Sequence, residues 1–321
     1  MKSAIKSRHA RSHLVGSGSY VSSFGFSAST FSYVALVGIP TRIPIMSTGG
    51  TGSSQILSEE AKRNQTEAQL ADIEAKDVKS QPLTSRRLPI SALVDMLSDA
   101  TGTYLQGAQY LSTKYQSLRR IRPDGNCFYR AVMFGVCESI LTNENSTAEL
   151  ERLTTWAKAS LDEVCKCGYD LFTLEMFFDE LVELFEYLAT KPKLDEVVTK
   201  LNEENGTSEY VTWYLRVVTA AYLKSDPDRF IHFIEGGMDI PTFCSREVEP
   251  MGRECSMIQV LALAEAMSVD VAIEYLDGRH FDKALTRHEF GPSQNDSLSE
   301  GGSSTTKITL LYRPGHYDIL Y

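Results

Sequence analysis

Two short stretches of the chain carry residue types suited to acyl-transfer chemistry. They are "PDGNCFYRA", residues 123–131, and "RPGHYDILY", residues 313–321. In the first, Cys127 follows Asp124-Gly125-Asn126 and precedes Phe128, Ala131, Val132, Val136 and Ile140 at helical spacings. Pro123, Gly125 and Asn126 are turn formers, so the sequence predicts a helix that begins at or next to Cys127. A thiol there meets unpaired N–H groups and the positive end of the helix dipole, both of which favour the nucleophilic thiolate. The same N–H groups can stabilise the oxyanion of a tetrahedral intermediate, and Gly125 allows the turn that aims them.

A thiol nucleophile needs a base. His316 follows the Pro314-Gly315 turn at the start of a terminal strand pattern, and in a strand residues i and i+2 share a face. His316 and Asp318 therefore project together with Leu320, and the carboxylate can orient one ring nitrogen while the other serves the thiol. His232 lies in an apolar run, and His280 and His288 flank a loop; none has this turn-then-strand setting. On spacing alone two readings stand, because a lone cysteine in a helix is commonly a buried, inert residue and His-x-Asp in a strand is commonplace.

The elements that must hold these residues are mostly helical. Tyr104, Ala108, Leu111, Tyr115 and Leu118 follow helical spacing toward the first stretch. A broad apolar face repeats from Leu171 to Leu188, a shorter one from Leu194 to Leu201, and a third from Tyr210 to Ala221 with Ser208 placed to cap it. These aromatic and aliphatic stripes are core. "CSMIQVLALAEAM" reads as a buried helix and "VDVAIEYL" as a strand with Val269, Val271, Ile273 and Tyr275 on one face. "ITLLYRP" and "HYDILY" are two strands broken by the turn pair. Many helices with a few clustered late strands indicate an α+β class.

Composition narrows the function. The chain has 321 residues, 42% hydrophobic, enough for one large core or two modest ones. Its net charge is −10, and the first acid is Glu59, so the body is more acidic than the total suggests. An acidic body argues against nucleic acid as the main partner and suits basic protein surfaces. The six cysteines lack a disulfide or zinc spacing, and Cys165-Lys-Cys167 is a lone CxC in a helical pattern, so neither metal nor cofactor is expected. No apolar run approaches the roughly 20 residues that cross a bilayer. Residues 1–55 are Ser/Gly-rich and basic; they read as a disordered extension, either a targeting segment or an upstream extension with Met46 as the working start. Residues 56–80 form a polar helical arm, and 81–321 the main domain. From Glu289 to Lys307 the chain is a low-complexity loop.

The two stretches together resemble the otubain family of ovarian-tumour-type deubiquitinating cysteine proteases. "YLR" at 214, "FIEGG" at 233, "EVEPM" at 247 and "ALAEAMSV" at 262 match the otubain pattern in order, so the likeness covers roughly residues 80–321. The resemblance implies a papain-like fold with a small, mostly antiparallel sheet flanked by helices. It also implies isopeptide hydrolysis in polyubiquitin through a thioester on Cys127. His316 would be base and then acid, and Asp318 would orient it. Asp124 matches the motif aspartate usually counted as catalytic; its backbone N–H, with that of Cys127, is the expected oxyanion hole. Leu261, Tyr275, Asp277, Tyr312 and Tyr317 would contact the donor ubiquitin. Expected partners are ubiquitin chains and, through the arm, ubiquitin-conjugating (E2) enzymes, which such a protein can inhibit without catalysis. A metal-independent, cytoplasmic monomer is expected, with a nuclear pool also compatible.

Overall fold

The computed structural model describes residues 76–100, 102–143, 146–279, 281–292 and 306–321. The extension over 1–55 and most of the expected arm lie outside these residues; 76–80, the end of the arm, are helical.

Ten α-helices follow in chain order among the described residues: α1 Ser91–Met96, α2 Gly102–Lys114, α3 Cys127–Thr142, α4 Ser146–Lys166, α5 Leu171–Ala189, α6 Leu194–Lys200, α7 Thr207–Ser225, α8 Pro227–Phe230, α9 Ile240–Phe243 and α10 Met257–Met267. The strands are β1 Leu88–Pro89, β2 Ser117–Arg119, β3 Asp270–Tyr275, β4 Thr286–Phe290, β5 Lys307–Arg313 and β6 His316–Leu320. They form one sheet in the order β1-β2-β6-β5-β3-β4. Only β3 and β5 run parallel; the other neighbours are antiparallel. This is the expected α+β arrangement, with the late strands at its centre.

Local sequence accounts for most element ends. Asp170 caps α5 by accepting from the Thr173 N–H at 3.0 Å, and Ser256 with Gln259 forms a capping box on α10. Two expectations shift. Helical spacing carried Leu118 into the first helix, yet α2 stops at Lys114 and Leu118 pairs with Leu320 across β2 and β6. Ser208 sits inside the first turn of α7, because Gly206 takes the cap position.

The sheet separates two cores. Val271, Ile273, Leu310, Tyr317 and Ile319 face a large cluster built with α3 to α7, while Leu311 and Leu320 face α1 and α2 through Leu93, Ala108 and Leu111. Helix α3 lies deep in the first cluster, buried almost all round rather than on one stripe. Burying a side chain such as Phe128 or Val132 contributes about 1.5–3 kcal/mol relative to exposure. The close approach of α3 to the sheet depends on Gly135, where a Cβ would meet Ile308 at 2.9 Å.

Candidate active site

Cys127 is the first residue of α3 and is buried. The turn before it is built from three locked pieces. Pro123 is the central residue of a three-residue turn in which the Asp124 N–H donates to the Arg122 carbonyl at 3.0 Å; a proline ring holds φ near the value an inverse γ-turn needs. The Asp124 carboxylate then accepts from the Asn126 N–H at 3.0 Å and forms a two-pronged ion pair with Arg130 at 3.0 and 2.9 Å. Gly125 adopts φ +76°, and a Cβ there would lie 2.1 Å from the Gly252 carbonyl oxygen, so both conformation and space demand glycine.

This arrangement alters the expected oxyanion hole. The Cys127 N–H lies in the first helical turn, where amides have no intrahelical partner. The Asp124 N–H is instead turned back onto Arg122, so only one of the two expected donors is available in this conformation. The Asp124 side chain shapes the loop through Arg130 and Asn126.

At the start of β6, the His316 Nε2 and Asp318 Oδ1 lie 2.8 Å apart, as the two-residue strand period allows. Asp318 is fully buried and also accepts from the Ile121 N–H at 2.9 Å and from Arg313 Nη2 at 2.7 Å. Burial works to raise the Asp318 pKa, but Arg313 first and His316 next hold it well below the usual carboxylate range. For His316, burial works downward, while Asp318 and then Cys127 raise the ring to about 9. Its Nδ1 is buried without a hydrogen bond, while the Cys127 sulfur is near enough to add to the ring's basicity. The ring therefore carries a proton at neutral pH, next to a sulfur at a helix N-terminus.

The other thiols are differently placed. Burial pushes Cys137 and Cys244 up to about 12, and holds Cys255 well above the ordinary thiol value. Such groups stay protonated and inert. Among the described residues no cluster of His, Cys, Asp and Glu has the makings of a metal site. His288 stands on β4 with its ring against Tyr275, away from any triad geometry.

The five residues assigned to a donor partner are not alike. Tyr317, Tyr312 and Tyr275 form an aromatic row across β6, β5 and β3, with ring centroids 5.2 and 5.1 Å apart. Tyr275 and Tyr312 are half-buried, and the Tyr275 hydroxyl is buried without a hydrogen-bond partner. Tyr317 is buried, packs on Phe128 and donates its hydroxyl to the Cys255 carbonyl, so it serves the wall from behind. Asp277 is partly exposed beside Arg279, and Leu261 is partly exposed on α10.

Sequence reasoning missed three arginines. Arg313 belongs to the second stretch and faces His316 across the β5–β6 pair; the turn pair beside it was the available signal. Arg130, one helical turn after Cys127, was readable as a partner for Asp124. Arg216, buried on α7, stood in the quoted "YLR" without a role.

Comparison with known proteins extends the geometry. The family described as Peptidase C65 Otubain matches residues 76–321. The human protein named "Ubiquitin thioesterase OTUB1" is 37% identical over 254 residues, covering 79% of this chain and 88% of that protein. A Caenorhabditis elegans "Ubiquitin thioesterase otubain-like" is 32% identical over 254 residues, 79% of this chain and 86% of that one. Among solved structures, a complex titled as ceOTUB1 with ubiquitin aldehyde and UBC13~Ub superposes with a TM-score of 0.69 at 31% identity, covering 79% of this chain and 98% of that chain.

Proposed function

The chain belongs to the otubain family of C65 peptidases, and we propose that it hydrolyses isopeptide bonds in polyubiquitin through Cys127, His316 and Asp318. Its class is that of a thiol-dependent deubiquitinating hydrolase, which the peptidase family and relatives named ubiquitin thioesterases support. The observation that carries the residue assignment is the His316 ring, tied to Asp318 on one nitrogen and left unpartnered on the other beside Cys127.

The chemistry follows from those positions. The Cys127 sulfur attacks the carbonyl carbon of the ubiquitin C-terminal glycine, and the carbonyl oxygen takes the negative charge, stabilised by the Cys127 N–H. His316, already protonated, gives its Nδ1 proton to the leaving lysine amine as the C–N bond breaks. A thioester to Cys127 remains. Water then attacks the thioester with His316 as base, the sulfur leaves as the anion beside the restored imidazolium, and the acid product loses its proton to solvent as the carboxylate. Asp318 keeps the proton-bearing Nε2 fixed and stabilises the imidazolium. The half-buried Tyr275 and Tyr312 support contact with the donor ubiquitin tail.

Steady-state cleavage of a ubiquitin dimer tests this reading. Wild type is expected to release monomers, and Cys127→Ala none; cleavage retained by Cys127→Ala would overturn it. A second activity is supported by the similar solved structures, whose titles carry UBC13~Ub and UBCH5B~Ub. The chain would bind charged E2 enzymes and suppress chain synthesis without Cys127. Suppression that persists in Cys127→Ala and disappears when residues 1–79 are removed is the expected result; suppression lost in Cys127→Ala would refute it.

A further inference from the structure

Arg216 is the largest fully buried side chain among the described residues; its two terminal nitrogens donate to neutral oxygens, and its Nε is buried without a hydrogen-bond partner. Nη2 lies 2.7 Å from the Gly125 carbonyl, 2.9 Å from Asn126 Oδ1 and 2.7 Å from the Arg253 carbonyl, which share its two N–H groups; Nη1 donates to the Val248 carbonyl at 2.9 Å. Its flat face lies 4.6 Å from the centre of the Tyr129 ring. A buried guanidinium is costly unless its donors are satisfied, so a structure that retains one gains something that an apolar residue would not supply.

What these contacts join is informative. Gly125 and Asn126 immediately precede Cys127. Val248 ends a five-residue π-helical run over Cys244–Val248, and Arg253 lies in the loop that follows. Asn126 completes the loop from the other side, its Oδ1 accepting from the Gly252 N–H at 2.9 Å. Pinning the Gly125 carbonyl toward α7 fixes the rotation of the peptide that leads into Asn126 and Cys127. The next peptide bears the Cys127 N–H, and its Asn126 carbonyl accepts from the Arg130 N–H at 3.1 Å, so the two peptides together set the aim of that amide. A lysine has the charge but only one nitrogen, so it cannot hold the Val248 carbonyl and the Gly125–Asn126–Arg253 oxygens from two separate, coplanar nitrogens as the guanidinium does.

Resting on the proposed role of Cys127, we propose that Arg216 is a positioning residue that clamps the Gly125–Asn126 backbone to the 248–253 loop and so holds the oxyanion-binding amide in place. Its effect falls on steps that form a tetrahedral oxyanion and spares simple attack by the sulfur.

Two probes separate those steps. Iodoacetamide alkylates Cys127 by displacing iodide from a saturated carbon, with no oxyanion. Ubiquitin C-terminal aldehyde adds the thiol across its carbonyl: a C–S bond forms, the C–O π bond opens, and the oxygen passes through the oxyanion site before taking a proton. For Arg216→Lys and Arg216→Met, alkylation of Cys127 is expected to stay within about threefold of wild type. The aldehyde is expected to bind about a hundredfold more weakly, the order of loss seen when an oxyanion donor is removed. In dimer cleavage kcat should fall with KM nearly unchanged. Asn126→Ala, which keeps the arginine and removes one of its partners, should show the same split at a smaller size, and it covers the case in which the arginine variants do not fold. Equal losses with both probes in the folded variants, or aldehyde affinity unchanged in both Arg216→Lys and Asn126→Ala, would overturn the proposal. Wild-type protein that ignores the aldehyde would instead overturn the assignment of Cys127.

Discussion

The two halves of the site are assembled by different means. The base half is local: His316, Asp318 and Arg313 lie within six residues, on one hairpin, joined by a strand period and two short charged contacts. The nucleophile half is non-local. The turn before Cys127 takes its shape from Arg130 one helical turn ahead, from Gly252 and Arg253 in a distant loop, and from Arg216 on α7. Electrostatics sets the first half and backbone geometry the second. Damage to the hairpin should therefore change protonation and proton transfer, whereas damage to the turn should change alignment.

Substitutions can break or sharpen that contrast. The largest effect is expected for His316→Ala, which removes the proton carrier and should lower kcat/KM for dimer cleavage by about 10³-fold or more, while the melting temperature at pH 9 changes little. Next is Gly125→Ala. It forces a Cβ into the Gly252 backbone and should cost about 10²-fold in kcat, the scale of a misplacement near 1 Å. Its near-native rate of iodoacetamide labelling would mark the loss as one of alignment.

The pH dependence of stability isolates the hairpin. His316 titrates at about 9 in the fold against an ordinary 6.5. A histidine whose pKa rises on folding stabilises the fold in its protonated form. That contribution is complete below about pH 6.5 and fades as pH rises through 9. It is on the order of 3 kcal/mol, from the size of the displacement. Chemical denaturation of wild type and His316→Ala across this range should show a stability gap that closes as the solution becomes alkaline. A gap independent of pH would remove the electrostatic account of the hairpin.

Asp124→Asn is expected to have the smallest effect. It strips the carboxylate from buried Arg130, and since Asp124 is itself partly exposed the loss is about 2 kcal/mol of stability. Cleavage should fall about tenfold but persist, because the carboxylate shapes the turn rather than touching the reacting atoms. Loss as deep as that of His316→Ala would make Asp124 a direct participant.

The same division decides what could be read from sequence. The hairpin was legible because a turn pair followed by period-two residues determines which side chains meet. The start of α3 was legible because Pro123, Gly125 and Asn126 cannot easily continue a helix. The short strands β2 and β4 were not: three residues of β2 carry no period, and β4 takes its place by pairing with β3. Arg216 was hidden for another reason. Thirteen residues of α7 are buried on all sides, so a charged residue in its run has no solvent face to occupy. The apolar neighbours on both flanks of Arg216 were the available hint. The occupied Asp124 N–H was not legible at all, since it depends on one peptide rotation beside Pro123.

The central claim is that Cys127 is the nucleophile, activated at the start of α3 and served by His316. Reacting the full chain with ubiquitin that carries a C-terminal vinyl methyl ester, then mapping the adduct by mass spectrometry, tests it most directly. The account predicts one ubiquitin per chain, bonded to the Cys127 sulfur and absent from Cys127→Ala. An adduct on Cys255, or one that persists in Cys127→Ala, would contradict it.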